Sequence, residues 1–244
     1  MIDWSTIKGL LFDKDGTLID FLATWMPACC QLADELARTY ATADVADRML
    51  LESGYDRVAD KLSPASILAG GTNQELIGIW RDVLGDRAPS DIDEIVLTTF
   101  AQHATGEVVP TAEMQPLMST LRDRGLILGI ATNDDTESAL WTAEFLGVAG
   151  MMAFVTGADA GHGGKPGPGM GLAFCRAAGI APEHAAMVGD SAADANMALA
   201  AGFGAAIGVC TGAAPAHELA DHFDVVIDSV ADLPDLLSGR PAAS

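Results

Sequence analysis

Basic residues are scarce: 13 Lys and Arg stand against 34 Asp and Glu in 244 residues, a formal charge of −21. A nucleic-acid binder needs a basic stripe to neutralise phosphates and release counterions, so this balance argues against a nucleic-acid partner. Cysteine is sparse too. Cys29, Cys30, Cys175 and Cys210 include an adjacent pair and no C-x-x-C spacing, which suits neither a disulfide framework nor a zinc site. They read as reduced thiols. Met1 to Lys8 is not a basic segment leading into a long apolar stretch, and no apolar run approaches the roughly 18 residues of a membrane span. The expectation is a soluble cytoplasmic protein with no membrane contact.

Several signatures of site chemistry are missing as well. The D-x-D-x-D-G spacing and closing Glu of an EF-hand are absent. Lys165 follows Gly164 but lacks the earlier glycine of a phosphate-binding P-loop, and Gly202-Phe203-Gly204 lacks the third glycine of a dinucleotide fingerprint. Ser191 sits in no G-x-S-x-G elbow. The five histidines show no metal-ligand spacing.

What remains is a folding chain. Half the residues are hydrophobic and only 19% are charged, so the acidity belongs to the surface and is no sign of disorder. Short aliphatic runs recur at Ile7–Phe12, Leu126–Ala131, Met152–Val155, Ala185–Val188, Ala205–Val209 and Val225–Ile227. Each ends in Asp, Gly, Thr or Asn, the pattern of strands buried on both faces of a parallel sheet. Helical patterns at Gln115–Arg124, Glu137–Leu146, Gly169–Ala178 and Ala192–Ala201 alternate with them. Strand then helix, repeated, implies an α/β doubly wound (Rossmann-like) parallel sheet. Between Phe21 and Val108 the alternation stops: no convincing strand is found, only amphipathic helical patterns at Gln31–Thr39, Val45–Leu51, Gln74–Leu84 and Ile92–His103. The expected organisation is an α/β core of residues 1–20 and 109–244 with an inserted helical domain of residues 21–108. The tail Ser238–Ser244 reads as frayed.

In an open parallel sheet, ligands bind beyond the carboxyl ends of the strands where strand order reverses. Asp13-Lys14-Asp15-Gly16-Thr17 follows the first strand, Thr132-Asn133-Asp134 the second, and Asp190-Ser191-Ala192-Ala193-Asp194 the fourth. A Gly-rich loop after the third holds Lys165, the single cation from Gly125 to Phe174. Carboxylates meeting at one edge repel unless a hard cation sits among them, and oxygen ligands with room for waters suit Mg2+. On an extended segment Asp13 and Asp15 point the same way and Lys14 the other, so Lys14 reads as structural. Asp190 and Asp194 are four apart at a helix start, where anions meet the positive end of the dipole. Gly16 permits a sharp turn beside the site. Thr132, Asn133 and neighbouring backbone N–H groups are candidates to cradle phosphate oxygens, with Lys165 as a point charge.

Asp13-x-Asp15-Gly16-Thr17, Thr132, Lys165-Pro166 and Gly189-Asp190-Ser191-x-x-Asp194 resemble, in order and position, the four motifs of the haloacid dehalogenase superfamily of phosphohydrolases. The insertion after the first motif resembles the helical cap of the phosphoglycolate-phosphatase-like branch, as do Gly129-Ile130-Ala131-Thr132-Asn133 and Met197–Gly202. The resemblance implies a catalytic set of Asp13, Asp15, Thr132 and Lys165. Asp13 is then the nucleophile that forms an aspartyl-phosphate, and Asp15 the acid for the leaving alkoxide and the base for the releasing water. It places Mg2+ on the Asp13 and Asp190 carboxylates and the Asp15 carbonyl, with Asp194, Asn133, Gly16 and Thr17 in support. An acid at position 15 favours phosphate esters over halides.

The implied function is a Mg2+-dependent phosphatase of a small phosphorylated metabolite, 2-phosphoglycolate being the substrate the resemblance favours. A sugar phosphomutase and a catalytically silent binding module are the alternatives. The cap is expected to choose the leaving group, with Ser63 to Thr72 as contact loop. Ser66 and Thr72 are candidate substrate contacts there, Arg57 and Lys61 candidates for a second anionic group, and Thr24 and Trp25 candidates for lining the opening. For Ser66, Thr72, Arg57 and Lys61, packing or solvation is an equal alternative, and for Trp25 core packing is the better reading. The chain is expected to act as a monomer or homodimer.

Overall fold

Strands buried on both faces need continuous aliphatic runs, and each of the six runs above forms a strand of one sheet. The computed structural model describes residues 2–63, 66–104 and 108–238. In chain order the elements are β1 (Gly9–Phe12), α1 (Phe21–Tyr40), α2 (Ala43–Glu52), a hairpin of β2 (Tyr55–Asp56) and β3 (Lys61–Leu62), α3 (Ile67–Gly70), α4 (Asn73–Leu84) and α5 (Ile92–Ala104). There follow α6 (Met114–Asp123), β4 (Ile127–Ala131), α7 (Thr136–Phe145), β5 (Met152–Thr156), α8 (Gly169–Ala178), β6 (Ala185–Gly189), α9 (Ala192–Ala201), β7 (Ala205–Val209), α10 (Ala216–Leu219), β8 (Val225–Ile227) and α11 (Leu233–Leu236). No helix among the described residues is long and apolar enough to cross a membrane.

The sheet runs β5-β4-β1-β6-β7-β8 and every neighbouring pair is parallel. β1 lies between β4 and β6, with Leu10 opposite Leu128 on one side and Ala186 on the other. The chain adds β4 and β5 on one flank of β1, then crosses to build β6, β7 and β8 on the other. Strand order therefore reverses at β1, and the carboxyl ends of β1, β4 and β6 border the crevice this topology creates. All residues of β1, β6 and β7 are buried. Phe174 of α8, fully buried, lies across the sheet where Gly9 and Gly129 leave room: a Cβ at either would come within 2.9 Å of its ring. Met170, Met187 and Met197 fill the same cluster, each worth roughly 1.5–3 kcal/mol on burial.

Contacts within the chain divide it into two compact units, Met1–Asp20 with Val109–Ser244, and Phe21–Val108. The second has its own core, in which Leu36, Met49, Leu50 and Trp80 are almost wholly buried. The Trp80 indole donates to Ser53 Oγ at 3.0 Å, so its one polar atom is satisfied. This unit corrects the expectation of helices alone. β2 and β3 form a short antiparallel hairpin, Tyr55 opposite Leu62 and Asp56 opposite Lys61; two residues per strand are too few for an alternating pattern to register. α1 begins at Phe21, well before Gln31, because it continues through Pro27, a residue that ordinarily ends a helical pattern. Pro64, Ala65 and residues 239–244 of the tail lie outside the described residues, as does the His103 side chain.

Candidate active site

The site assembles from the loops that leave β1, β4 and β6, joined by the loop before α8. Asp13 leaves β1 with its backbone N–H donating to Val188 O at 2.8 Å, which fixes it beside β6. Gly16 turns the chain at φ +75°, and a Cβ there would lie 2.3 Å from Asp190 Oδ2, so the close approach requires glycine. Thr211 Oγ1 donates to Gly16 O at 2.7 Å and Thr111 Oγ1 to Thr17 O at 2.6 Å, pinning this turn from two sides.

Lys165 is the centre of charge. Its Nζ lies 2.5 Å from Asp13 Oδ1 and 2.7 Å from Asp194 Oδ1, and all three side chains are buried. Asp194 has a second task, because its Oδ2 accepts from Ser191 N–H at 3.1 Å and Ser191 Oγ at 2.7 Å in the capping box that starts α9. Asp190 completes the cluster, with oxygens of Asp13, Asp190 and Asp194 all within 4.8 Å of one another. Thr17 Oγ1 reaches Asp190 Oδ1 at 3.4 Å.

Three buried carboxylates against one ammonium leave a negative excess in a dry pocket. Burial, with Asp194 and Asp15 adding repulsion and Lys165 opposing it, pushes the Asp13 carboxyl up to about 7. Burial and the neighbouring Asp13 and Asp194 likewise raise Asp190 well above the carboxylate range. Burial opposes the Lys165 charge, but Asp13 and Asp194 outweigh it and hold the ammonium above its ordinary value. Oxygen-only donors, uncompensated charge and protons held where a cation would relieve the repulsion fit a hard divalent ion. The group contains no histidine or cysteine.

Asn133 meets one of its two expectations, support of the site, and departs from the other. Its Oδ1 accepts from Lys165 N–H at 2.7 Å and its Nδ2 donates to Lys165 O at 3.1 Å. The carboxamide therefore grips the lysine backbone, where a phosphate cradle had been expected. Thr132, buried, accepts from Asp134 N–H through Oγ1 at 3.1 Å. Lys14 departs as well. It does not point away from both acids; its Nζ lies 2.8 Å from Asp15 Oδ2 and 2.9 Å from Asp134 Oδ2, and it is fully buried. Extended alternation fails because the strand ends at Phe12 and the chain is already bending at Lys14. Burial pushes Asp134 up, but Lys14 and the Ser138 hydroxyl outweigh it and hold that carboxyl below its usual range.

Residues proposed for the inserted unit have local tasks. Thr72 caps α4 in a reciprocal box with Glu75. Ser66 Oγ donates to Ser63 O at 2.6 Å. Arg57 is not an open anion receptor, since Asp34 and Asp47 already lie 2.9 and 3.3 Å from its guanidinium. Trp25 packs edge-on against Phe100 at 6.1 Å and Thr24 is buried in the same helix. Lys61 is exposed on β3. Residue-type reasoning missed Asp134, Thr211 and Gly212. Gly212 follows β7 and lets the chain pass Asp190, whose Oδ2 would lie 1.7 Å from a Cβ there. The rule that pointed to Asp13 and Asp190, small or acidic residues after a parallel strand, also marks these three.

The profile of the haloacid dehalogenase-like hydrolase family matches residues 7–202. A phosphoglycolate phosphatase of Rhodospirillum rubrum is 29% identical over 201 residues, 80% of this chain and 76% of that one. The phosphoglycolate phosphatase of Chromobacterium violaceum is 28% identical over 232 residues, 95% and 96% of the two chains. Among solved structures, a predicted phosphoglycolate phosphatase from Haemophilus somnus 129pt shares the fold, with a TM-score of 0.71 at 19% identity over 95% of this chain and 98% of that chain. The chain belongs to the haloacid dehalogenase-like hydrolase family.

Proposed function

We propose that this hydrolase cleaves small phosphate monoesters with Mg2+, through a phosphoryl group carried on Asp13, and that 2-phosphoglycolate or a close relative is its substrate. The observation that carries the reading is the buried cluster in which Lys165 bridges Asp13 and Asp194 with Asp190 alongside. Phosphoglycolate phosphatases among the relatives support the substrate class. The unit of Met1–Asp20 and Val109–Ser244 performs the phosphoryl chemistry and Phe21–Val108 selects the leaving group.

In the first half-reaction an Asp13 carboxylate oxygen attacks phosphorus, the bond to the ester oxygen breaks, and Asp15 gives its proton to the departing alkoxide. In the second, Asp15 takes a proton from water as the water oxygen attacks the same phosphorus; the bond to Asp13 breaks and inorganic phosphate leaves. Lys165 and the Thr132 hydroxyl face the charge on the phosphoryl oxygens. Asp13, Asp190 and the Asp15 carbonyl would hold Mg2+, which would neutralise phosphoryl charge and relieve the repulsion between the acids. Asp194 fixes Lys165, and Asn133 fixes the backbone that carries it.

The partner is thus a small anion that Lys165 and a bound divalent cation would receive within an acidic protein, since repulsion by distant charges is screened within about 8–10 Å at physiological salt. The cytoplasm is the compartment proposed, supported by four cysteines that are all free thiols. A panel of metabolite phosphomonoesters assayed for phosphate release tests the reading. It predicts release with Mg2+, most rapidly from 2-phosphoglycolate, and none with EDTA. Absence of release from every ester would overturn it.

A further inference from the structure

Lys14 is a buried ammonium with no role in the mechanism above. Among the described residues the buried cations are Lys14 and Lys165. Each serves one of the two acids that bracket Lys14 in sequence, Lys165 reaching Asp13 and Lys14 reaching Asp15. Burying an ammonium is expensive, and for stability alone apolar residues in place of a whole buried ion pair often serve as well or better. Its partner Asp134 is anchored firmly. Asp134 Oδ2 accepts from Ser138 Oγ at 2.7 Å, Oδ1 from Asp135 N–H at 2.8 Å, its N–H donates to Thr132 Oγ1 at 3.1 Å, and its carbonyl accepts from Ala158 N–H at 2.9 Å. Asp15, in contrast, lies in a turn and leaves 21% of its side chain accessible, so a leaving group can reach it.

From this geometry we infer that Lys14, tied to Asp134, is a positioning residue that sets the direction of the Asp15 carboxyl for proton transfer to the leaving group. The ammonium links the turn after β1 to the segment that leads from β4 into α7, so the acid of the first loop is held by the framework of the second. The inference rests on Asp15 being the general acid, as proposed above.

Leaving-group dependence tests it. A nitrophenyl phosphate releases a stable phenolate that needs little help from an acid, whereas an alkyl phosphate releases an alkoxide that must be protonated. Misplacing a general acid forfeits part of the 10²- to 10⁴-fold such catalysis supplies, so Lys14→Met should lower kcat/KM, which reports the half-reaction in which the leaving group departs, by about 10- to 100-fold on the alkyl ester and by less than about threefold on the aryl ester. Asp134→Asn, which keeps the lysine, should show the same imbalance in weaker form, and serves if Lys14→Met does not fold. Asp15→Asn is the reference and should show the strongest imbalance. Equal losses on both esters in Lys14→Met and Asp134→Asn, beside an imbalance in Asp15→Asn, would overturn the role of Lys14 alone. No imbalance in Asp15→Asn would overturn the reading of Asp15, and with it this one.

Discussion

Lys165→Met removes the ammonium that Asp13 and Asp194 share and keeps most of the aliphatic stem. Deleting one member of a buried ion pair costs about 3–5 kcal/mol, because the remaining charge has neither water nor partner. An independent ceiling comes from protonation. A stranded carboxylate can take up a proton at about 1.4 kcal/mol per pH unit above its unperturbed pKa of about 3.9, hence roughly 4 kcal/mol at pH 7 and about 1.5 kcal/mol at pH 5. The sign follows from linkage: the Asp13 carboxyl, already raised to about 7 with the lysine present, moves further up without it. A group with a raised folded pKa gives stability below its unfolded pKa and loses it as pH rises through the folded value. The variant must therefore suffer most at neutral pH and least in acid. For a unit of this size each kcal/mol moves Tm by about 2–4 °C, so a drop of roughly 6–16 °C is expected at pH 7 in EDTA, and less than about 6 °C at pH 5. Thermal melts followed by calorimetry read it. An equal drop at both pH values, or none at pH 7, would refute the electrostatic account of the cluster.

Other consequences concern metal and backbone. Because burial and neighbouring acids keep protons on Asp13 and Asp190, Mg2+ uptake should release protons and tighten from pH 5 to pH 8; calorimetry in buffers of different ionisation enthalpy measures this, and a pH-independent Kd would contradict it. Gly212→Ala places a methyl group 1.7 Å from Asp190 Oδ2 and should weaken Mg2+ binding at least about tenfold with the circular dichroism spectrum unchanged. An unaltered Kd would mean that the loop after β7 yields. Asn133→Ala strands the Lys165 N–H and C=O and should cost about 1–3 kcal/mol in urea unfolding, a loss that vanishes if water replaces both bonds.

The six-stranded sheet was legible because a parallel strand buried on both faces reads as an uninterrupted aliphatic run. Only boundaries moved: the run from Ile7 enters the ladder at Gly9, and that from Met152 extends to Thr156. The acids of the site were legible from their place directly after such runs. What stayed hidden depends on side-chain direction or on very short elements. Two-residue strands at Tyr55 and Lys61 lack a period, and Pro27 masks the first half of α1. Asn133 bonds a backbone 32 residues away, and Lys14 finds Asp134 across neighbouring strands. Neither pairing leaves a local pattern, since the first depends on where β5 settles against β4 and the second on where β4 settles against β1.

The central claim is that Asp13 carries the phosphoryl group. Rapid acid quench of the enzyme turning over 2-phosphoglycolate with Mg2+, followed by peptide mass spectrometry, measures it directly. The account predicts one added phosphoryl group on the peptide containing Asp13, and neither that adduct nor turnover in Asp13→Asn with its fold retained. Phosphate release without the adduct, or an Asp13→Asn variant that still turns over, would contradict it.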